Sequence, residues 1–284
     1  MIADTWIRAA VSRLKDVERP RAEARLLLAH AMHVSSEHLF SHPETKIPGE
    51  FVIIAEDFLR RRANGEPLSR ILGYREFWSL VFAIGQEVLD PRPDTEILVE
   101  AGLDAITGLQ TPYILDLGTG SGCILLALLS ERGSAFGVGL DRSKGACKNA
   151  LLNSQRLGLS DRVQFVCGDW AEAFSNIRNG FPGFDLVVSN PPYVGTVSGP
   201  RPDKATEQFD PPAALYAGPD GLDAYGKLAA QIPALLAPGG VVVIEIGEGQ
   251  SAAVSKLFVQ SGFIRQRELN DIGNHVRCLT FKLA

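Results

Sequence analysis

The first 75 residues place apolar side chains at the spacing of amphipathic helices. Five apolar residues between Trp6 and Leu14 recur every three to four positions, which is the period of one helix face. Pro20 suits the first turn of a second helix, and the pair Ser35-Ser36 suits the cap of a short third one. Pro48 suits the start of a fourth helix. The pattern predicts a small helical bundle.

The pattern then changes twice. Residues 76–95 contain glycine, proline and partly alternating apolar residues, which predicts a hairpin-like connector. From residue 96 to residue 284, short β-branched runs alternate with helical patterns, which predicts an α/β domain of the Rossmann-like type. Its mostly parallel sheet would carry helices on both faces. The predicted strands are Tyr113–Leu117, Ala135–Leu140, Val163–Cys167, Phe184–Ser189 and Gly240–Ile246, closed by an antiparallel hairpin of Phe263–Leu269 and His275–Leu283. Helices are predicted from Ser121, through Asn149 and Leu157, and over Leu222–Leu236.

Composition narrows the class of protein. The chain has 284 residues and a formal net charge of −5, without the basic surplus of proteins that grip nucleic acid by its phosphates. Its four cysteines are scattered, which disfavours a disulfide framework or a zinc site, and we expect no metal. The N-terminus lacks a signal-peptide core, and no stretch approaches the roughly 18 apolar residues of a membrane span. We therefore expect a soluble, cytoplasmic protein.

A glycine-rich segment follows the first strand of the α/β region. It reads Asp116-Leu117-Gly118-Thr119-Gly120-Ser121-Gly122, and in such sheets ligands bind at the carboxyl ends of strands. Its glycine spacing differs from the G-x-G-x-x-G of dinucleotide-binding proteins and favours an adenosine ligand without a pyrophosphate. Asp116 would accept a hydrogen bond from the ligand's amino group, directly or through water. The alternative is a tight strand-to-helix turn that binds nothing.

Acidic residues end the next two strands. Asp141 is placed to accept hydrogen bonds from both ribose hydroxyls, and the alternative is that it caps the helix that begins near Ser143. Asp169-Trp170 pairs a carboxylate with a flat apolar ring, which suits an adenine base. The alternative for this pair is a buried tryptophan beside a capping aspartate.

The sharpest signal is Asn190-Pro191-Pro192-Tyr193, directly after the strand Phe184–Ser189. A planar amide or amine nitrogen is a poor nucleophile, and two hydrogen-bond acceptors can orient its NH₂ group and offset developing charge. The side-chain oxygen of Asn190 and the carbonyl of Pro191 are the two acceptors, while the ring of Tyr193 packs on the planar group. The alternative is a simple turn at a strand end.

These segments together resemble the HemK/PrmC family, the glutamine-N5 methyltransferases of peptide chain release factors. The resemblance covers nearly the whole chain, and the segment Pro91-Arg92-Pro93-Asp94-Thr95-Glu96 is its most specific part. Asp90 and the loop Gly195–Gln208 depart from the family pattern. The other matching segments are Gly65-Glu66-Pro67-Leu68, Ile71-Leu72-Gly73, Asp116 to Cys123, Phe184 to Tyr193, Gly221-Leu222-Asp223 and Glu245-Ile246-Gly247.

The resemblance implies a helical domain over residues 1–75 that recognises the release factor and a methyltransferase domain over 96–284. It also implies that the cofactor is S-adenosyl-L-methionine and that the substrate is the glutamine of the Gly-Gly-Gln loop. By position, Gly118–Gly122, Asp141 and Trp170 contact the cofactor, Asn190 touches cofactor and substrate, and Asn190–Tyr193 hold the glutamine amide. The alternatives are methylation of an exocyclic amine in RNA or DNA, a non-catalytic binding protein and, more remotely, an NAD-dependent oxidoreductase.

Overall fold

Two units make up the chain in the computed structural model, Met1–Tyr74 and Arg75–Ala284. The structure describes residues 1–170, 174, 181–271 and 273–284. The hairpin-like connector predicted for 76–95 falls within the second unit, where Phe77, Phe82 and Val88 are buried in its core. The functional boundaries at residues 75 and 95 remain predictions.

The first unit is helical. Pro20 stands at the first position of the second helix, and Ser35 caps the third by accepting a hydrogen bond from the main-chain N–H of His38 at 3.1 Å. Trp6, Leu28 and Leu59 are buried in the bundle core. The fifth helix was not predicted, because five residues are too few to show a period. The helices are α1 Ala3–Val11, α2 Pro20–Met32, α3 Ser36–Ser41, α4 Gly49–Ala63 and α5 Leu68–Leu72.

The second unit contains a two-stranded hairpin and a seven-stranded sheet of order β5-β4-β3-β6-β7-β9-β8. The pairs from β5 to β7 are parallel and the pairs made by β9 are antiparallel, which confirms the predicted Rossmann-like architecture. The strands are β1 Tyr74–Phe77, β2 Leu80–Ala83, β3 Tyr113–Leu117, β4 Phe136–Asp141, β5 Val163–Cys167, β6 Phe184–Ser189, β7 Leu236–Glu245, β8 Phe263–Asn270 and β9 Val276–Leu283.

The helices of this unit differ from the prediction at identifiable residues. The helix predicted from Ser121 begins at Cys123, because Gly122 precedes it with a φ of 80°. The helix predicted over Leu222–Leu236 ends at Gln231, and a short 3-10 turn containing Pro233 follows, since proline cannot continue the hydrogen-bond ladder. The helices are α6 Glu96–Ala105, α7 Cys123–Glu131, α8 Lys144–Arg156, α9 Lys204–Phe209, α10 Pro212–Leu215, α11 Asp223–Gln231 and α12 Ser251–Gln260.

Alternate residues of the parallel strands face opposite sides of the sheet, as the two-residue period requires. Ile114 and Val188 are buried on the side of α6, α7 and α8, whereas Leu115 and Val187 are buried on the side of α11 and α12. Burial on both faces explains why these strands are almost continuously apolar. Among the described residues, no helix has the length and apolar character needed to cross a membrane.

The strands that follow β3 in the sequence, β4 and β5, lie on one side of it, whereas β7, which follows β6, lies on the other side. The strand order therefore reverses between the neighbouring strands β3 and β6. In open α/β sheets this reversal opens a crevice at the carboxyl ends of the strands. The two strand ends are tied together, because the hydroxyl of Ser189 donates to the carbonyl of Leu117 at 2.6 Å. The glycine-rich turn and the segment that begins with Asn190 therefore lie side by side.

Candidate active site

The glycine-rich turn is held against the end of β4. The main-chain N–H groups of Gly118 and Thr119 both donate to the carbonyl of Leu140, at 2.8 and 2.9 Å. Gly118 has a φ of 80°, and a Cβ there would lie 3.8 Å from the ring of Trp170. Glycine thus allows the backbone a conformation that L side chains rarely adopt, at a point where a ring closes over it.

Asp116 lies beneath this turn and is fully buried. Its Oδ2 accepts a hydrogen bond from the hydroxyl of Thr119 at 2.7 Å. Burial raises the pKa of Asp116 to about 7, the bond from Thr119 opposes that rise, and the charge of Asp141 adds to it. Asp116 is not among the residues that line the cavity above the turn. It stabilises the turn from below, and its contact with a ligand stays a prediction.

Asp141 connects the turn to the next helix. Its two carboxylate oxygens accept from the main-chain N–H of Gly120 at 3.0 Å and of Ser143 at 2.8 Å. The cap of α8 is Ser143, whose hydroxyl accepts from the N–H of Ala146 at 3.2 Å. The alternative that Asp141 is the capping residue is therefore wrong. Each carboxylate oxygen still has a lone pair for a further hydrogen bond.

A cavity of about 170 Å³ opens above these residues. Trp170 is half-buried in its wall with a φ of 45°, and Asp169 is exposed beside it. The predicted residues that line it are Gly118, Thr119, Gly120, Ser121, Asp141, Asp169, Trp170, Asn190 and Pro192. Gly122 does not line it, and a Cβ at Gly122 would lie 3.2 Å from that of Ala150. We call this the glycine-turn cavity.

The segment Asn190–Tyr193 leaves β6 at the edge of this cavity. The side-chain Nδ2 of Asn190 donates to the hydroxyl of Thr95 at 3.2 Å. The carbonyl of Tyr193 accepts from the Nε2 of Gln250 at 3.0 Å, which fixes the far end of the segment. Burial and the nearby charge of Glu245 raise the pKa of Tyr193 to about 12. The phenol is therefore neutral at physiological pH.

A second, larger cavity of about 540 Å³ lies on the other side of Asn190. We call it the Tyr193 cavity. Four residues line both cavities: Leu89, Arg92, Asn190 and Ala214. Many of the residues that line the Tyr193 cavity are charged, and part of the predicted loop Gly195–Gln208 forms one of its walls. The charged residues are Arg92, Asp94, Arg201, Asp203, Asp220, Glu245, Glu248 and Arg277.

Sequence reasoning gave no role to Thr95 or Glu245, although both fall in segments that carry the family resemblance. Glu245 is buried at the end of β7. Burial raises its pKa to about 7, while interactions with the side chain of Thr95, the charge of Arg277 and the side chain of Asn190 favour the ionised form. The sequence signal that could have identified Glu245 is a carboxylate at the end of a run of β-branched residues. A charge buried at such a strand end needs polar partners.

The departures from the family pattern also have a structural setting. Asp90 is buried, and its main-chain N–H donates to Asp210 at 3.2 Å. Arg92 donates to Asp210 at 2.9 Å and to the hydroxyl of Thr206 at 2.6 Å. These bonds join the segment that begins at Asp90 to α9, within the loop that lines the Tyr193 cavity. Among the described residues, no group of three or more His, Cys, Asp or Glu side chains is arranged to hold a metal ion.

Comparison with known proteins matches both units. The model of the PrmC N-terminal domain matches residues 5–73, and that of a methyltransferase domain matches residues 112–266. A release factor glutamine methyltransferase of Rhodospirillum rubrum is 46% identical over 263 residues, covering 93% of this chain and 79% of the relative. One from Cereibacter sphaeroides is 37% identical over 287 residues, covering 100% of this chain and 99% of the relative. The solved SAM-dependent methyltransferase from Agrobacterium tumefaciens has a TM-score of 0.51 at 13% identity, over 74% of this chain and 69% of its own, and shares the fold.

Proposed function

The chain belongs to the release factor glutamine methyltransferase family, and from that premise we propose that it transfers a methyl group from S-adenosyl-L-methionine to the side-chain amide nitrogen of a release-factor glutamine. The target is the glutamine of the Gly-Gly-Gln loop in class I peptide chain release factors. The position of Asn190 carries the proposal, because this residue lines both cavities. A group transferred between two ligands has to pass a point where their two sites meet.

The glycine-turn cavity fits S-adenosylmethionine by the chemistry of its walls. The backbone of Gly118 leaves open the space that a Cβ would fill beside the ring of Trp170, and that ring offers a stacking face for an adenine base. The carboxylate of Asp141 is held by two main-chain N–H groups and keeps lone pairs for the ribose hydroxyls. When bound, the cofactor supplies a methyl group on a positively charged sulfur.

The Tyr193 cavity takes the glutamine side chain. Asn190 and Tyr193 line this cavity, where the Oδ1 of Asn190 accepts from the NH₂ group of the glutamine and the ring of Tyr193 packs on the amide plane. The predicted second acceptor, the carbonyl of Pro191, belongs to a residue that lines neither cavity. These contacts orient the nitrogen lone pair and offset the charge that develops on the nitrogen. Methyl transfer forms an N–C bond and breaks an S–C bond, and the nitrogen then releases one proton to water. Neutral Tyr193 and the side chain of Asn190 accept no proton, so positioning does most of the work.

Residues 5–73 match the PrmC N-terminal domain, and we propose that this helical unit, predicted to span 1–75, recognises the release factor. The methyltransferase region predicted over 96–284 then carries out the reaction. We also propose a cytoplasmic location and no stable binding of nucleic acid. The net charge of −5 supports the latter, because phosphate recognition relies on a basic surface.

Methyl transfer from radiolabelled S-adenosylmethionine to a purified class I release factor tests the proposal. The matched control is the same factor with its loop glutamine changed to alanine. Label on the normal factor and none on the variant is the expected result, and it identifies both the reaction and the atom. Label on both factors, or on neither while cofactor binding is intact, would contradict the proposed target.

A parallel assay with total RNA and duplex DNA addresses the alternative of an exocyclic amine. Incorporation into nucleic acid, with binding that weakens steeply as salt increases, would favour that alternative. We expect no incorporation, because the five carboxylate side chains that line the cavity beside Asn190 outnumber its three arginines, and the excess negative charge repels a phosphate backbone.

A further inference from the structure

The side-chain amide of Asn190 faces two polar groups that have no place in the reaction described above. Its Nδ2 donates to the hydroxyl of Thr95 at 3.2 Å. Glu245 lines the Tyr193 cavity together with Asn190, and the side chains of Thr95 and Asn190 both lower its pKa against the effect of burial. Thr95 and Glu245 are 2% and 4% exposed, so water cannot easily replace either interaction. Two buried polar side chains thus lie beside the half-buried Asn190, at the point where the two cavities meet.

The fold brings these residues together from distant parts of the sequence. Along β7, Val241 and Val243 are buried on the side of the sheet that α6 covers. The two-residue period of a strand places Glu245 on that same side. Helix α6 begins at Glu96, so Thr95 lies at its N-terminus. The partial positive charge at a helix N-terminus further favours a carboxylate there.

Thr95 and Glu245 decide which end of the Asn190 amide points toward the substrate. An amide carries an acceptor and a donor of nearly equal size, and only its oxygen can accept from a substrate NH₂ group. An ionised carboxylate can only accept hydrogen bonds, so it draws the NH₂ end of Asn190 and the hydroxyl proton of Thr95 toward itself. The hydroxyl oxygen of Thr95 then accepts from Nδ2. Both neighbours therefore turn Oδ1 away from themselves.

We propose that Thr95 and Glu245 are positioning residues that hold the Asn190 amide with Oδ1 toward the substrate nitrogen. The inference rests on the proposed function, because it takes a substrate NH₂ group as the partner of Oδ1. It gives a physical role to two segments that carry the family resemblance, Pro91–Glu96 and Glu245–Gly247. Neither residue contacts the reacting atoms in this scheme, and both act through Asn190.

The orientation of the Asn190 amide then depends on pH. Protonated Glu245 can donate, which stabilises the amide of Asn190 in its reversed orientation and presents an NH₂ group to the substrate. Burial brings the pKa of Glu245 to about 7, so we expect turnover to rise with pH through about pH 7. The other titratable or charged groups that act on Glu245, or that its charge acts on, are Arg277, Asp94, Tyr193, Tyr225, Cys278 and Cys123.

Two variants of Thr95 test the hydroxyl against the shape of the side chain. Thr95→Val keeps the volume and removes the hydroxyl, whereas Thr95→Ser keeps the hydroxyl. We expect kcat for methylation of the release factor to fall roughly 10- to 100-fold in Thr95→Val, with little change in KM or in cofactor Kd, and most of the turnover to return in Thr95→Ser. Thr107→Val, at an exposed position two residues beyond the end of α6, is the matched control. Equal losses in the valine and serine variants would show that packing alone matters.

Glu245→Gln tests the carboxylate. Glutamine has no charge and both donates and accepts, so it cannot select one orientation of Asn190. We expect a lower kcat that no longer rises through pH 7, while Glu100→Gln, at an exposed position on α6, keeps the normal profile. Normal kcat and an unchanged profile in Glu245→Gln would overturn the inference. Failure of the wild-type enzyme to label the release factor would instead overturn the proposed function, so the two failures are distinguishable.

Discussion

The two cavities that meet at Asn190 are built in different ways. The glycine-turn cavity includes three runs of consecutive residues at the ends of β3, β4 and β5, 118–121, 140–143 and 168–170, and main-chain N–H groups fix its key carboxylate. The Tyr193 cavity is lined by eight charged side chains, and six consecutive residues of its wall, 198–203, belong to the loop that follows β6. A site held by backbone suits a ligand that never changes, and a site of adjustable side chains suits a particular protein surface. Variants that affect one cavity, both or neither can test this division.

The largest effect is expected from Asn190→Ala, because Asn190 belongs to both cavities. The variant loses the acceptor that we propose orients the substrate nitrogen, and removing one such group typically lowers turnover roughly 100- to 1,000-fold. We expect cofactor affinity to change much less, since Asp141 and the glycine-rich turn remain. Single-turnover methylation of the release factor and calorimetric titration with S-adenosylmethionine measure the two quantities separately.

Asn270→Ala is the matched control for that experiment, because Asn270 is exposed at the end of β8 and lines neither cavity. It should keep both quantities near the wild-type values. Normal turnover in Asn190→Ala would remove Asn190 from the reaction, and methyl transfer would then not depend on the residue at which the two cavities meet.

The second-largest effect is expected from a substitution in the glycine-turn cavity alone. Asp141→Asn keeps the shape of the side chain and removes the charge that, in our proposal, strengthens hydrogen bonds to the ribose hydroxyls. It also leaves the main-chain N–H of either Gly120 or Ser143 facing an NH₂ group instead of an acceptor. We expect the affinity for S-adenosylmethionine to fall about 10- to 100-fold, while kcat at saturating cofactor changes little. Calorimetric Kd values test this, with Asp161→Asn at an exposed position as the control. A lower kcat with unchanged affinity would place Asp141 outside the cofactor site.

The same difference between the cavities explains what the sequence could predict. Asp141 ends β4 and the residues Gly118–Ser121 follow β3 directly, so a local pattern is sufficient to place them in one cavity. Thr95 and Glu245 lie 150 positions apart, and their contact depends on how α6 packs across β7. A local pattern carries no information about such packing. The family resemblance identified both segments but left their physical role open.

The sequence pattern also predicted wrong helix boundaries where a single residue outweighed the helical period of the apolar residues. The helical pattern through Leu236 continued past Pro233, yet the helix ends at Gln231, because proline lacks the N–H that the ladder needs. Helix α5 is too short for a period to show, and the glycine-rich turn delays α7 by two residues. The mostly parallel sheet with helices on both faces could be predicted from the alternation of strands and helices, because crossover connections follow few rules.

The third-largest effect is expected from a substitution in the Tyr193 cavity alone. The positive charge of Arg277 lowers the pKa of Glu245, so Arg277→Gln should raise that pKa and move the rise in turnover to higher pH. Below pH 7 we expect turnover to fall roughly two- to threefold, the size of one partly exposed charge interaction, with cofactor affinity unchanged. Arg265→Gln on exposed β8 is the control. A shift of the rise in turnover to lower pH would contradict the conclusion that Arg277 lowers the pKa of Glu245.

The smallest effect is expected from Tyr193→Phe. The ring remains to pack on the substrate amide, and the lost hydroxyl has a pKa raised to about 12, so it is neutral and transfers no proton near pH 7. We expect less than about a threefold change in kcat and a pH profile with the same midpoint as wild type. Tyr113→Phe, at an exposed position on β3, should behave in the same way. A large loss of turnover in Tyr193→Phe, with Tyr113→Phe normal, would show that the hydroxyl of Tyr193 binds the substrate directly. Tyr193 would then contribute a hydrogen bond as well as the packing that we assign to it.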